Sequence, residues 1–197
     1  MKTLLIVGND KLGKKFIDIL EKNTTKIHKH IIVIDTSSSL SRIIKLMNKK
    51  IIKLSWIIHM YLAEFFRKKV ILTGEYLTIS SNDELINLIV KENIKTVYLF
   101  RAGLIIGKRV LSLNNISILN IHCATLPKYG GIGAIYRALK NKDFDQSATM
   151  HKVITKIDGG EILEERSYRL NPANSYRKNE DIAYDAGMSL LMDELSK

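Results

Sequence analysis

The sequence predicts an α/β domain: a mainly parallel, twisted sheet flanked by helices, with Rossmann-like alternation of elements. Three observations carry this. Short apolar runs at residues 3–7, 31–34, 96–100 and 116–121 alternate with stretches of helical period. Turn-forming residues close these runs, as at Gly8, Gly103 and the Pro127 to Gly131 stretch. The 197 residues, 46% hydrophobic, suit one domain (1–197) with a full core, and no repeat, low-complexity tract or linker interrupts them.

Residues 3–7 read as a buried first strand stopped by Gly8. Gly8-Asn9-Asp10-Lys11-Leu12-Gly13 then leads into a helix to about Lys22, with Phe16, Ile19 and Leu20 on its apolar face. Strand, glycine turn and helix resemble a nucleotide-binding unit, but Asp10 replaces the middle glycine of the dinucleotide fingerprint. A carboxylate there opposes a pyrophosphate, so a tight packing turn is expected. Residues 31–34 form a second strand ending at Asp35, which is placed either to hold a ribose hydroxyl or simply to end the strand. Residues 36–39 offer caps for a helix through about Asn48. A short third strand is expected at 51–54, then a helix over 55–66 with Trp56, Ile57, Met60 and Phe65 facing the core. Trp56 and Tyr61 are alternatives for stacking on a ligand.

Residues 70–79 predict an irregular β segment broken by Gly74. Ser81 and Glu84 form a capping box for a helix to about Glu92. Residues 96–100 are the next strand, and 105–113 a short helix or turn. The strand at 116–121 delivers Asn120 and His122, and a short helix follows over 133–139. Residues 148–157 and 161–169 read as two extended segments joined by a turn at Asp158. Ser175 or Asn179 caps a final helix carrying Met188, Leu191, Met192 and Leu195. In such sheets a ligand lies beyond the carboxyl ends of the strands, where Arg101 and His122 fall.

A formal charge of +11 and pI near 9.6 imply an anionic partner: nucleic acid, a membrane surface or a phosphorylated small molecule. The lysines are scattered, and no basic-aromatic RNA motif is present. Cys123 is the one cysteine, so neither an intrachain disulfide nor a cysteine-rich metal site can form, and no metal is expected. Met1-Lys2 leads straight into a strand-like run without a signal sequence. The most membrane-like stretch, 51–66, is interrupted by Lys53, His59 and Glu64. A cytoplasmic protein with no membrane and no nucleic-acid partner is the expectation.

Asn120 and His122 sit two apart in a strand-like run, so both side chains leave the same face. An amide, two imidazoles (His122 and His151) and the Asp158 carboxylate at element ends suit acyl transfer to an amine. Asn120 can donate to a developing oxyanion, and His122 has the pKa to take the amine proton. Asp158 can orient that imidazole, favour its protonated form and relay protons through water.

Together these residues resemble the folate-dependent formyltransferase superfamily. The pattern stands as Asn120-Ile121-His122, Leu126-Pro127-Lys128-Tyr129-Gly130-Gly131, Thr149-Met150-His151 and Asp158-Gly159-Gly160, strongest over residues 97–164. The resemblance implies that Asn120, His122 and Asp158 are catalytic and that 10-formyltetrahydrofolate is the donor cosubstrate. It implies that Arg101, Ala102, Gly103, Thr155, Lys156 and Ile157 line the pterin pocket. Tyr129 would flank the acceptor, and Lys128 and Arg137 would contact its phosphate. His151 would be either a neighbour of the catalytic group or an anchor of strand geometry.

The sequence also departs from the family pattern. The turn at 8–13 lacks the glycine- and serine-rich phosphate loop expected for glycinamide ribonucleotide. Ser147 stands where relatives have glycine, and Gly130 where they are often basic. The chain leaves no room for the carboxyl-terminal domain of tRNA formylation. The expected acceptor is the amine of a nucleotide-linked amino sugar. The alternatives are phosphoribosylglycinamide formylation and a non-catalytic nucleotide- or RNA-binding module. A monomer and a homodimer both remain open.

Overall fold

The computed structural model describes residues 2–23, 30–37, 40–50 and 52–197. Seven strands form one sheet in the order β3-β2-β1-β4-β5-β6-β7. They are β1 (Thr3–Gly8), β2 (His30–Asp35), β3 (Leu77–Ile79), β4 (Thr96–Phe100), β5 (Ser117–His122), β6 (Asp145–Lys152) and β7 (Ile162–Arg169). The helices are α1 (Lys11–Asn23), α2 (Leu40–Asn48), α3 (Leu54–Phe66), α4 (Asn82–Glu92), α5 (Lys108–Leu111), α6 (Ala134–Lys140) and α7 (Tyr176–Ser196). The first five strands run parallel; β6 pairs antiparallel with β5, and β7 with β6. The expected mainly parallel sheet is therefore present, with an antiparallel hairpin added at one edge.

Two apolar clusters cover the sheet, as a parallel sheet buried on both faces requires. One joins Phe16, Ile17 and Leu20 of α1 to Tyr98, Phe100, Leu119 and Ile121, and then to Met188, Leu190 and Leu191 of α7. The other gathers Leu4, Ile6, Val97, Leu99 and Ile118 with Leu85 and Ile89 of α4. The alternation Ile118, Leu119, Asn120, Ile121 thus places Asn120 on the second face, away from α7.

The capping chemistry is as expected at two helices. The Ser81 hydroxyl accepts from Glu84 N at 3.3 Å, and Glu84 reaches back to Ser80 N at 2.7 Å. Ser175, rather than Asn179, caps α7 by accepting from Lys178 N at 3.3 Å. Asn179 is instead fully buried and ties the 171–175 loop to the helix through main-chain bonds at both ends of its amide. Of the caps expected at 36–39, residues 38–39 lie outside the described residues.

The N-terminal half departs from expectation in two places. No strand forms over 52–54: Leu54 opens α3, and the third strand is the short β3, with 70–76 irregular (Ile51 is outside the described residues). Phe65, expected in the core, is 62% exposed, and Ala63 is the buried residue of α3. The cause is a charge network that fixes the rotation of α3. Arg67, just past its end, is buried; it donates to Asp181 at 2.9 Å, Glu180 at 2.9 Å and Glu64 at 3.2 Å. The Lys11 ammonium closes the same corner through the Phe65 and Arg67 carbonyls at 2.9 and 2.8 Å. Facing Glu64 and Arg67 inward turns Phe65 out.

Removing one member of a buried charge group leaves another charge short of partners. Glu180→Ala is expected to lower the unfolding free energy by about 3 kcal/mol, read from the urea midpoint. Asp18→Ala, which breaks the surface pair with Lys22, should change it by less than about 0.5 kcal/mol.

Candidate active site

Antiparallel pairing of β5 with β6 sets Asn120 opposite His151 and His122 opposite Thr149. Directly opposed side chains on one face touch, and the Asn120 amide nitrogen donates to His151 Nε2 at 3.1 Å. The tautomer follows from the other ring nitrogen. His151 Nδ1 donates to the Lys152 carbonyl at 2.9 Å, which leaves Nε2 bare to accept when the ring is neutral.

Asp158 enters from the loop that follows β6, at φ +49°, a left-handed conformation that aspartate tolerates. Its Oδ1 lies 3.4 Å from His151 Nε2 and 3.5 Å from the Asn120 nitrogen. Its Oδ2 accepts from Gly131 N at 2.7 Å and stands 3.4 Å from His122 Nδ1. Gly131 has φ +81°, a value open to glycine, and that backbone aims its amide at the carboxylate. The four predicted polar residues therefore meet around one point, and three of them are less than a sixth exposed: Asp158 (11%), His122 (14%) and His151 (2%).

Burial opposes ionisation of Asp158, but the His151 ring, the His122 charge and the Gly131 amide outweigh it and hold the carboxyl at about 2. Burial pushes the His122 pKa below its ordinary value, against the pull of Asp158 and of the Tyr129 carbonyl, with His151 and Arg137 adding to the depression. The expected protonated form of His122 is thus not the resting one. Its Nε2 donates to the Tyr129 carbonyl at 2.9 Å, so neutral His122 turns a bare Nδ1 toward a carboxylate oxygen. Two acceptors facing each other at 3.4 Å make a seat for one incoming proton, which converts the contact into a charge-assisted hydrogen bond. Asn120 keeps one amide hydrogen held only by the long 3.5 Å contact, free to turn to an oxyanion.

The expected acceptor-side residues Lys128, Tyr129 and Arg137 line one cavity. Tyr129 is only 1% exposed, and its hydroxyl donates to Asp143 at 2.9 Å. His151 is buried beneath Asn120 and orients it. Arg137 donates to the Tyr129 and Gly130 carbonyls, and its buried Nε has no protein partner. Lys128 pairs with Asp143 at 2.6 Å. Both cations line a cavity of about 260 Å³ with Lys53, Trp56, Tyr129, Lys140 and Asn141, a cationic hollow next to the His122–Tyr129 contact.

Among the expected donor-side residues, Arg101 does not point to a ligand. Its guanidinium donates to Asp10 at 2.6 Å, lies 3.8 Å from Glu180 and covers the Tyr184 ring at 4.1 Å. Its main chain, at φ +56°, bends the loop that carries Ala102 and Gly103. That loop is fixed by Asp35, which the sequence places at a strand end where it could hold a ribose hydroxyl. Asp35 is 2% exposed, and its oxygens accept from Gly103 N, Leu104 N and Ser37 N. Strand-end acids followed by no glycine fingerprint were the available signal. Thr155, Lys156 and Ile157 lie exposed on the loop that ends at Asp158. Ala102 and Val153, one from each loop, both pack on the second apolar cluster. Ile105, Ile154 and Ile157 on these two loops are exposed apolar side chains. Among the described residues no three His, Cys, Asp or Glu side chains converge as a metal-ligand set.

The profile of the formyl transferase family matches residues 1–195. A curated relative, methionyl-tRNA formyltransferase of Thermotoga maritima, is 30% identical over 95 residues, 48% of this chain and 30% of the relative. The chain spans about a third of the length of the curated relatives it matches. Phosphoribosylglycinamide formyltransferase of Streptococcus pneumoniae superposes with TM-score 0.66 at 17% identity, covering 98% of this chain and 96% of that one. The N-formyltransferase of Helicobacter canadensis, solved with folinic acid and dTDP-3-aminofucose, superposes with TM-score 0.62 at 16% identity, covering 100% and 63%.

Both pKa depressions tie stability to pH with the same sign. Asp158, ordinarily near 3.8, contributes stability that is present above that value and lost as pH falls through about 2. Below pH 6.5 the unfolded chain takes up the His122 proton before the folded one does, so stability again falls on acidification. Denaturant melts from pH 2 to 8 should show Asp158→Asn flattening the lower limb and His122→Gln the limb just below 6.5.

Proposed function

The chain belongs to the formyl transferase family, and from that premise we propose that it moves a formyl group from 10-formyltetrahydrofolate to a primary amine. The observation that carries this is the convergence of Asn120, His122, His151 and Asp158 around one point. The donor supplies an activated formyl carbon. The Asn120 amide faces the carbonyl oxygen, so negative charge developing there gains a hydrogen bond it lacked in the ground state. As the amine nitrogen bonds to that carbon, the proton it sheds enters the seat between His122 and Asp158. The bond from carbon to the folate nitrogen then breaks, and the same proton returns to that nitrogen, leaving formamide and tetrahydrofolate. His151 keeps the Asn120 amide turned nitrogen-first.

The preferred acceptor is an amino sugar carried on a nucleotide. Its support lies at the start of α1, where a ribonucleotide phosphate would otherwise meet free amides. Here Asp10 accepts from Gly13 N at 2.8 Å and Glu64 from Lys11 N at 2.8 Å, so internal carboxylates already hold those donors. The cationic hollow at Lys53, Lys128, Arg137 and Lys140 offers a diphosphate another place. A second reading, glycinamide ribonucleotide, is favoured by near end-to-end superposition on the enzymes of Streptococcus pneumoniae and Campylobacter jejuni.

Turnover with 10-formyltetrahydrofolate should be measured against dTDP-amino sugars, glycinamide ribonucleotide and methionyl-tRNA. Formylation of the sugar alone supports the preferred acceptor, and robust formylation of glycinamide ribonucleotide alone replaces it. Asn120→Ala and Asp158→Asn should each lower kcat by roughly 10²–10³-fold with the fold retained. Wild-type rates in either variant would remove the mechanism.

A further inference from the structure

Segment 44–71 carries an unusual surface. Along α3, Leu54, Ile58, Tyr61, Leu62, Phe65 and Phe66 are between 46% and 67% exposed. The first five recur at i, i+4, i+7, i+8 and i+11, which places them on one stripe of the helix. Tyr61 stacks on Phe65 at 6.4 Å and Phe65 meets Phe66 edge-on at 5.1 Å, so the aromatic end of the stripe is one continuous patch. Ile44 and Ile71, before and after the helix in sequence, are also 56% and 77% exposed.

The exposed charges that flank α3 in sequence are of one sign. Lys45, Lys49, Lys50 and Lys53 are exposed before or at the start of α3, and Lys68 and Lys69 follow its end. The one acid in the segment, Glu64, is held by Arg67 and by the Lys11 amide. A second copy of this chain would bring a like-charged face against this one. Nucleic acid would engage the lysines and leave the aliphatic side chains in water. An anionic bilayer takes both, with apolar side chains below the headgroups and lysine ammonium groups among the phosphates. At 13 residues α3 is about 20 Å long, and among the described residues no helix can cross a membrane. It can only lie flat.

We propose that α3 and its flanking lysines seat this protein on an anionic membrane surface, with the helix in the plane of the interface. This revises the expectation of no membrane partner, which rested on the interruption of a spanning run and does not bear on a helix lying flat. The inner side of α3 stays on the protein. His59 meets the Tyr136 ring at 4.9 Å, and a Cβ at Gly133 would stand 2.8 Å from the Trp56 ring, so the seated helix is also the wall of the cationic hollow.

The test is co-sedimentation with vesicles of phosphatidylglycerol and phosphatidylcholine, and with phosphatidylcholine alone. It uses neither donor nor acceptor, so its failure is separate from that of the catalytic reading. The expected result is binding to the anionic vesicles about tenfold tighter than to the neutral ones, weakened by 0.5 M salt. The double substitutions Tyr61→Ser with Phe65→Ser, and Lys68→Glu with Lys69→Glu, should each reduce it about tenfold. All four sites are exposed, and circular dichroism and melting temperature should be unchanged. The proposal is overturned if wild type stays in the supernatant with anionic vesicles, or if neither double substitution alters sedimentation. It is equally overturned if these substitutions abolish retention of RNA, or dissociate a dimer, in a protein that does not bind vesicles.

Discussion

An ionised carboxylate held where water scarcely reaches sets the terms for the whole site. Asp158 is 11% exposed; the Gly131 amide donates to its Oδ2, and the His122 and His151 rings stand 3.4 Å from its two oxygens. Each of those neighbours is fixed from a different part of the chain. The glycine turn supplies the amide, β5 supplies His122, and the β5–β6 pairing supplies His151. Shift β6 by one residue along β5 and His151 turns to the other face, leaving Asn120 without its acceptor and Asp158 without half its support. The antiparallel edge hairpin therefore fixes side-chain direction where a further parallel strand would have required a crossover.

The crevice between β1 and β4, where strand order reverses, is the usual place for a ligand in an open α/β sheet. Here it is closed. Asp10 and Arg101, from the ends of the two adjacent strands, pair across it, and a Cβ at Gly8 would stand 2.4 Å from the Arg101 carbonyl oxygen. Arg101 then links through Glu180 to Arg67, so the plug is continuous with the network that sets α3 and α7. The same pair bends the loop whose amides Asp35 clamps. Closing the switch point and fixing the 101–104 loop are thus a single arrangement of charges.

Much of this was legible in the sequence because it rests on short-range rules. Alternation placed Asn120 and His122 on one face, glycine and proline located the turn behind them, and Ser81 announced α4. The residues that met at the site were the ones whose chemistry is unusual for an apolar strand. What stayed hidden depends on distant partners. Asp10 reads as a breach of a glycine motif until Arg101, 91 positions on, is seen beside it. Tyr129 looks like a ligand-facing aromatic, yet Asp143 draws its hydroxyl inward and leaves the carbonyl to His122. No local pattern encodes that exchange of side chain for main chain.

Helix α3 shows the limit of periodicity in another way. Its run Leu-Ser-Trp-Ile-Ile-His-Met-Tyr-Leu-Ala-Glu-Phe-Phe is apolar around most of its circumference, so hydrophobicity alone cannot say which side faces in. Two charges decide it. Glu64 and Arg67 are three residues apart, one turn of the helix, and both are held inward by Lys11, Glu180 and Asp181. Ala63 follows them into the interior because it is small, and half-buried Trp56 packs toward Gly133, where a Cβ would stand 2.8 Å from its ring. The larger aliphatic and aromatic residues are left outside. A buried ion network has here overruled the hydrophobic pattern, and that is why a helix that reads as core from its sequence carries an apolar outer face.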